Sequence, residues 1–144
     1  MSERRVNIEW KLKESLLEYM QEDPTFTVNT EDGASFDREI GVVLPALEHA
    51  HGVIEATASA TVSAHDGVLS VPLHRVTIVD GALWIPDPND ISGERRIRLV
   101  ELTPADSGGG ALVFETLLTA DASQIFGYQY GPGTPFAPLY VRGA

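Results

Sequence analysis

From Val53 to Ala64 the chain alternates without a break. Ile54, Ala56, Ala58, Ala60 and Val62 fall on one side, and Glu55, Thr57, Ser59, Thr61 and Ser63 fall on the other. A period of two sends successive side chains to opposite faces of an extended chain, so this stretch specifies a half-buried β-strand and excludes a helix. Asp66-Gly67 follows it, and both residues tolerate the positive φ that a tight hairpin turn requires. The returning strand, Val68 to Val79, carries Leu69, Val71, Leu73, Val76 and Ile78. Pro72 inside it donates no ladder hydrogen bond, which calls for an edge position or a bulge. The alanine-rich face has little volume of its own, so other side chains or a ligand must cover it.

Shorter strands are predicted at residues 25–29, 36–44, 82–85, 95–103 and 111–119, with loops at 86–93 and 104–110, the latter closing a hairpin. One segment differs in period. Over residues 7–22, Leu12, Leu16, Tyr19 and Met20 recur at helical spacing, Trp10 and Leu17 widen the stripe, and Lys11, Glu14 and Glu18 take the wet side. Asp23-Pro24 ends this helix, because proline disfavours helical geometry in the residue before it. Tyr19 is then expected on the core face of the last turn. One helix followed by seven or eight strands is a mainly β fold, an antiparallel sandwich or barrel-like sheet with a short N-terminal helix. With no repeat and no linker, residues 1–144 read as one domain.

Charge removes whole classes of function. The net charge of −11 repels nucleic acid and anionic membrane surfaces, and no apolar run reaches membrane-spanning length. The basic cluster Arg95, Arg96 and Arg98 reads as a solvated strand edge. The opening residues lack the apolar stretch of a secretory signal, which points to a cytoplasmic protein or to a secreted or surface domain trimmed of its leader. Cysteine is absent, so disulfides, thiolate nucleophiles and thiolate-bound metals are excluded, and any metal must take His, Tyr or carboxylate ligands.

No hydrolase elbow, phosphate-binding glycine loop or His-Glu-x-x-His motif is present, and nothing brings two carboxylates into one cleft. The chain therefore reads as a non-enzyme. His49-Ala50-His51 has metal-compatible spacing only if it is a strand, and it lacks a third ligand; a solvated loop fits it better. His74 reads as a partly buried mid-strand histidine. His65 adjoins the hairpin turn at the end of a sheet, where functional groups are often displayed. Residues 126–136, Phe-Gly-Tyr-Gln-Tyr-Gly-Pro-Gly-Thr-Pro-Phe, are too rich in Gly and Pro for a regular element, and too aromatic to be left in water. Their cover is either the core or a flat apolar ligand. Taken alone, Tyr19, His65, Phe126 and Tyr130 are all ordinary packing residues.

Together they resemble the HtaA domain, the haem-uptake module of actinobacterial surface and secreted proteins. Residues 8–19, Ile-Glu-Trp-Lys-Leu-Lys-Glu-Ser-Leu-Leu-Glu-Tyr, look like that family's opening Trp-x-x-Lys-x-Ser-Phe-x-x-Tyr. Residues 64–69, Ala-His-Asp-Gly-Val-Leu, are similar to its Gly-His-x-Gly-x-Leu hairpin, and residues 126–134 with Pro138 to its closing Phe-x-x-x-Tyr-x-x-Gly-Thr…Asp-Pro. The blocks come in the family's order and span nearly the whole chain. Leu16, Ala64 and Ala137 stand where the family has Phe, Gly and Asp.

The resemblance implies a β-rich fold that binds haem b near the helix, with Tyr19 ligating ferric iron. It implies that His65 hydrogen-bonds that tyrosine and that Tyr130 and Phe126 support binding. The partner is then haem, for transfer, storage or sensing, with dimerisation over an exposed haem edge left open. The rival readings are an interaction module on the same fold that has lost haem, and a haem enzyme of peroxidase-like or haem-degrading type. Phenolate chemistry suits the first reading, because a hard oxygen donor favours ferric iron. A phenol with a pKa near 10 needs the metal's charge and a neighbouring partner to ligate at neutral pH.

Overall fold

The computed structural model describes residues 3–105 and 111–144. Its first element is a strand that the helical reading of the N-terminus missed. In β1 (Arg4–Trp10), Val6, Ile8 and Trp10 are buried while Asn7 and Glu9 are half-exposed, a period of two running directly into the helical period that follows. The switch is made at Leu12, whose φ of 63° turns the chain left-handed while its side chain stays fully buried. The helix, α1 (Glu14–Gln21), is therefore half as long as its hydrophobic stripe suggests. Gly41 makes the reversal possible. Its φ is 92°, and a Cβ there would lie 2.7 Å from the Cα of Lys11. Only glycine fits where these two backbones meet.

The remaining strands are β2 (Thr27–Glu31), β3 (Ser35–Asp37), β4 (Gly41–Glu48), β5 (Ile54–Ala56), β6 (Ser59–Ala64) and β7 (Leu69–Leu73). They continue with β8 (Thr77–Val79), β9 (Ala82–Pro86), β10 (Arg96–Ala105), β11 (Leu112–Leu118) and β12 (Pro135–Gly143). Of the two architectures the sequence allowed, the chain takes the barrel. The order β1-β12-β11-β10-β9-β8-β5-β4 closes on itself because β1 pairs with β4 on one side and β12 on the other. In register, Ile8 lies opposite Leu44 and opposite Val141. Closure leaves these eight strands antiparallel with few unpaired edges, β3 being an appendage on β4. The predicted β10–β11 hairpin pairs as expected, although residues 106–110 of its loop lie outside the described residues.

The barrel is packed solid. Trp10, Leu44, Ile54, Leu83, Ile85, Leu99, Leu118 and Leu139 all fall in its buried cluster, and Trp10 Nε1 donates to the Ala137 carbonyl at 2.8 Å. Among the described residues side chains fill this interior, which points to the outer faces for a site.

The long hairpin centred on Asp66-Gly67 forms, yet each of its arms is shared between two sheets. Its base, β5 and β8, belongs to the barrel wall; its outer part, β6 and β7, joins β2 in a separate three-stranded sheet. The arms break at residues 57–58 and 74–76, where Arg75 has a φ of 49°. Pro72 sits on an edge strand of the small sheet, as its missing donor demands. The alanine face of β6 is covered by α1 and by β4, which settles its cover in favour of side chains. The hairpin arm thus carries its turn away from the wall and up beside the helix.

Candidate functional site

At 100° per residue, Leu16, Leu17 and Met20 form the buried stripe of α1, and Tyr19 falls about 60° from Leu16 on the side away from Leu17. That offset overturns the expectation that Tyr19 faces the core. It is 54% exposed and leans outward from the helix toward the hairpin turn. There its ring meets that of His65, with centroids 5.3 Å apart and planes tilted by 46°.

The turn that presents His65 is strained. His65, Asp66 and Gly67 have consecutive φ values of 54°, 54° and 86°, and only the glycine adopts this region without cost. Each of the other two residues gives up about 1 kcal/mol. The end of α1 latches the turn in place. Asp23 Oδ2 lies 2.6 Å from His65 Nδ1, and the Asp66 amide donates to Thr25 Oγ1 at 2.9 Å. Asp23 Oδ1 in turn accepts from the Thr25 hydroxyl at 2.6 Å and the Thr25 amide at 2.7 Å. Those Thr25 hydrogen bonds first, and the charge of His65 after them, hold the Asp23 carboxyl below its ordinary value. The other imidazole nitrogen, His65 Nε2, is buried and has no hydrogen-bond partner among the described residues. Tyr19 and His65 are therefore in ring contact without the hydrogen bond that the family resemblance implied.

Beside this pair lies a groove of about 440 Å³, walled by Leu16 and Tyr19 from α1, His65, Val68 and Leu69 from the hairpin, and Ile125, Phe126 and Tyr130 from the aromatic segment. Its size and apolar lining suit a drug-sized organic ligand. The aromatic segment is only partly irregular. It begins in a 3-10 helix (Ser123–Phe126) and ends in β12, with left-handed residues at Gly127 and Tyr128 between. Phe126 is 3% exposed and forms the floor; its ring meets Tyr130 edge-on at 6.1 Å and Phe136 at 5.1 Å. Phe136 continues inward to Trp10 at 6.4 Å, so the groove floor is tied to the barrel interior by a chain of edge-on and tilted aromatic contacts. Tyr130 also lies under the Lys13 ammonium, 5.7 Å from its ring centroid, whereas Tyr128 points away and is exposed.

The structure thus gathers Tyr19, His65, Phe126 and Tyr130 from three distant blocks of sequence into one groove. The other candidates stand elsewhere. His74 lies just beyond β7, exposed rather than partly buried, with Nε2 2.6 Å from Thr61 Oγ1. His49 and His51 flank and enter a 3-10 turn (Ala50–Gly52) instead of a strand, and His49 lies 3.6 Å from both Glu3 and Glu55. Among the described residues no three His, Asp or Glu side chains converge on a metal position. Of the arginine cluster, Arg96 reaches inward to the Trp84 carbonyl and Thr77, Arg98 covers Trp84, and none lines the groove. A larger, open depression of about 770 Å³ runs past β1 and β12; four of its charges are paired, Lys11 with Glu14 and Arg142 with Glu9, and Lys13 and Glu39 also line it. Asp23 was missed as a site residue because Asp-Pro read only as a helix stop; the signal was the Asp-x-Thr spacing of an Asx turn.

No protein-family model matches this sequence, and no curated protein aligns with it significantly. Solved structures do match. The heme binding protein HtaB from Corynebacterium glutamicum superposes with a TM-score of 0.70 at 16% identity, covering 99% of this chain and 98% of that one. The C-terminal domain of HtaA from the same organism gives 0.66 at 16%, covering 97% and 96%. Its N-terminal domain gives 0.66 at 15%, covering 99% and 98%. The chain shares the fold of these HtaA and HtaB domains over nearly its whole length.

Proposed function

We propose that this domain binds ferric haem b in the groove, with Tyr19 as the iron ligand, and holds it for transfer, storage or sensing rather than for turnover. One observation carries the reading. An exposed phenol and an imidazole with a buried, unpartnered nitrogen stand ring to ring at the edge of an apolar groove. An unsatisfied buried nitrogen costs about 1–3 kcal/mol, and half-exposed tyrosines are not otherwise needed by an already filled barrel.

The residues present fit the group. Haem brings a flat apolar surface and a ferric centre that draws a phenol toward its anionic form. Tyr19 offers the hard oxygen donor. Leu69, Ile125 and Phe126 offer apolar contact to the flat surface, and Val68, 87% exposed, offers more at the rim. Ring contact with Tyr19 supports a role for His65 in exchanging a hydrogen bond with the phenol oxygen once haem is bound. Tyr130, packed on Phe126 and Phe136, supports the floor. Lys13 above Tyr130 supplies a cation for a propionate.

Titrating the protein with hemin tests the reading. The expected result is a one-to-one complex with a shifted Soret band and a phenolate charge-transfer band. Tyr19→Phe is expected to abolish that band and weaken binding at least tenfold. A wild-type protein that leaves the hemin spectrum unchanged contradicts the reading and favours an interaction module on the same fold. Consumption of peroxide with opening of the porphyrin ring favours an enzyme.

A further inference from the structure

Asp23 has no part in that reading, yet its geometry decides what His65 presents to Tyr19. An ionised carboxylate can only accept protons in hydrogen bonds. Its Oδ1 takes both Thr25 donors, at 2.7 Å and 2.6 Å, and its Oδ2 meets His65 Nδ1 at 2.6 Å. At that separation an unprotonated Nδ1 would set two lone pairs against each other, so the ring proton resides on Nδ1. A neutral ring so fixed carries its lone pair on Nε2, the buried atom that lacks a partner in the ring packed on Tyr19. The choice of tautomer is set by the partner of the opposite nitrogen.

We infer that Asp23 is a positioning residue: it fixes His65 as the Nδ1–H tautomer, so that a hydrogen-bond acceptor, Nε2, is held beside the Tyr19 phenol. The resemblance to the HtaA domain implied a hydrogen bond between this histidine and the tyrosine and left its direction open. Here the fixed tautomer presents Nε2 as an acceptor, with the Nδ1 proton held by Asp23. The bearing on haem rests on the proposed function; the tautomer does not.

The test uses the whole chain without haem, with ¹⁵N-labelled histidine and long-range ¹H–¹⁵N spectra near neutral pH. Wild-type His65 is expected in the Nδ1–H form. Asp23→Asn is expected to invert it. The single carbonyl oxygen of asparagine is claimed by the Thr25 amide and hydroxyl, which turns its NH₂ toward Nδ1 and drives the ring proton to Nε2. A residue that merely braced the turn would not invert a tautomer. An Nε2–H ring in the wild type overturns the inference, as does an unchanged pattern in a folded Asp23→Asn. If that variant fails to fold, the wild-type spectrum decides alone. With hemin added, Asp23→Asn is expected to shift the phenolate charge-transfer band while Tyr19 still ligates. An inverted tautomer with an unshifted band removes Asp23 from the haem site. An inverted tautomer in a protein that ignores hemin upholds the positioning role and overturns the proposed function instead.

Discussion

The barrel wall and the groove beside it draw on the same residue types and treat them in opposite ways. In the wall, the aromatic Trp10 is 2% exposed and its one polar atom is satisfied by the Ala137 carbonyl. In the groove, the aromatic Tyr19 is 54% exposed, and the neighbouring His65 keeps a buried nitrogen without a partner. Wall strands pair on both sides around a closed ring, whereas the groove is assembled from a short helix, a turn with two left-handed non-glycine residues and an aromatic segment with another. The wall also has one unpartnered buried atom, Arg96 Nε on β10, but that guanidinium is tied down through its terminal nitrogen to the Trp84 carbonyl and Thr77. The groove retains strain and an unmet hydrogen-bond group, the pattern expected where structure has been committed to a ligand.

The sharpest way to break this contrast is to delete one aromatic from each region. Trp10→Ala should cost about 3–5 kcal/mol in urea unfolding, enough to unfold a marginally stable domain. Tyr19→Ala should cost no more than about 1 kcal/mol, because a half-exposed side chain forfeits little burial. Equal losses would mean that Tyr19 is a packing residue and that the groove is part of the core. Gly41→Ala comes next. It asks an L-residue to hold a φ of 92° against the backbone of Lys11, and should destabilise by about 2 kcal/mol or more with no specific effect on the groove.

Acid should then separate the regions by pH. Asp23 is held below its ordinary 3.8 by Thr25 and His65, and Asp90 by the Arg95 amide and Ser92. A depressed folded value means the stabilisation is fully present above about 3.8 and is lost as pH falls through the lower folded value. The latch that holds the His65 turn should therefore release in strong acid, seen as loss of amide protection at residues 64–68 before the wall strands. Asp23→Asn should flatten the dependence of stability on pH in that range. Simultaneous loss across the chain would contradict the division. The smallest effect is Val68→Ser at the exposed rim. Stability should stay within about 0.5 kcal/mol, while hemin dissociates measurably faster.

The hairpin around Asp66-Gly67 was legible because strict alternation encodes its face and a two-residue signal encodes its turn. Closure into a barrel was not. It depends on β1 pairing with two strands far along the chain, and alternation within a strand says nothing about its neighbours. β1 itself was hidden because Val6, Ile8 and Trp10 run straight into a helical stripe, and the boundary between the two periods rests on the backbone of Leu12. Tyr19 was found by resemblance, whereas its orientation was misjudged: on an eight-residue helix, 60° of azimuth separates a core residue from a groove residue. Asp23 needed three-dimensional knowledge, since its partner lies 42 positions away, at His65.

The most direct measurement is the resonance Raman spectrum of the hemin complex, excited in the phenolate charge-transfer band. Tyr19 and Tyr130 both line the groove, so the spectrum must tell them apart. The expected result is a set of iron-bound phenolate modes in the wild type that persist in Tyr130→Phe and vanish in Tyr19→Phe. Modes absent from the wild type, or surviving in Tyr19→Phe, would contradict the assignment of Tyr19 as the ligand.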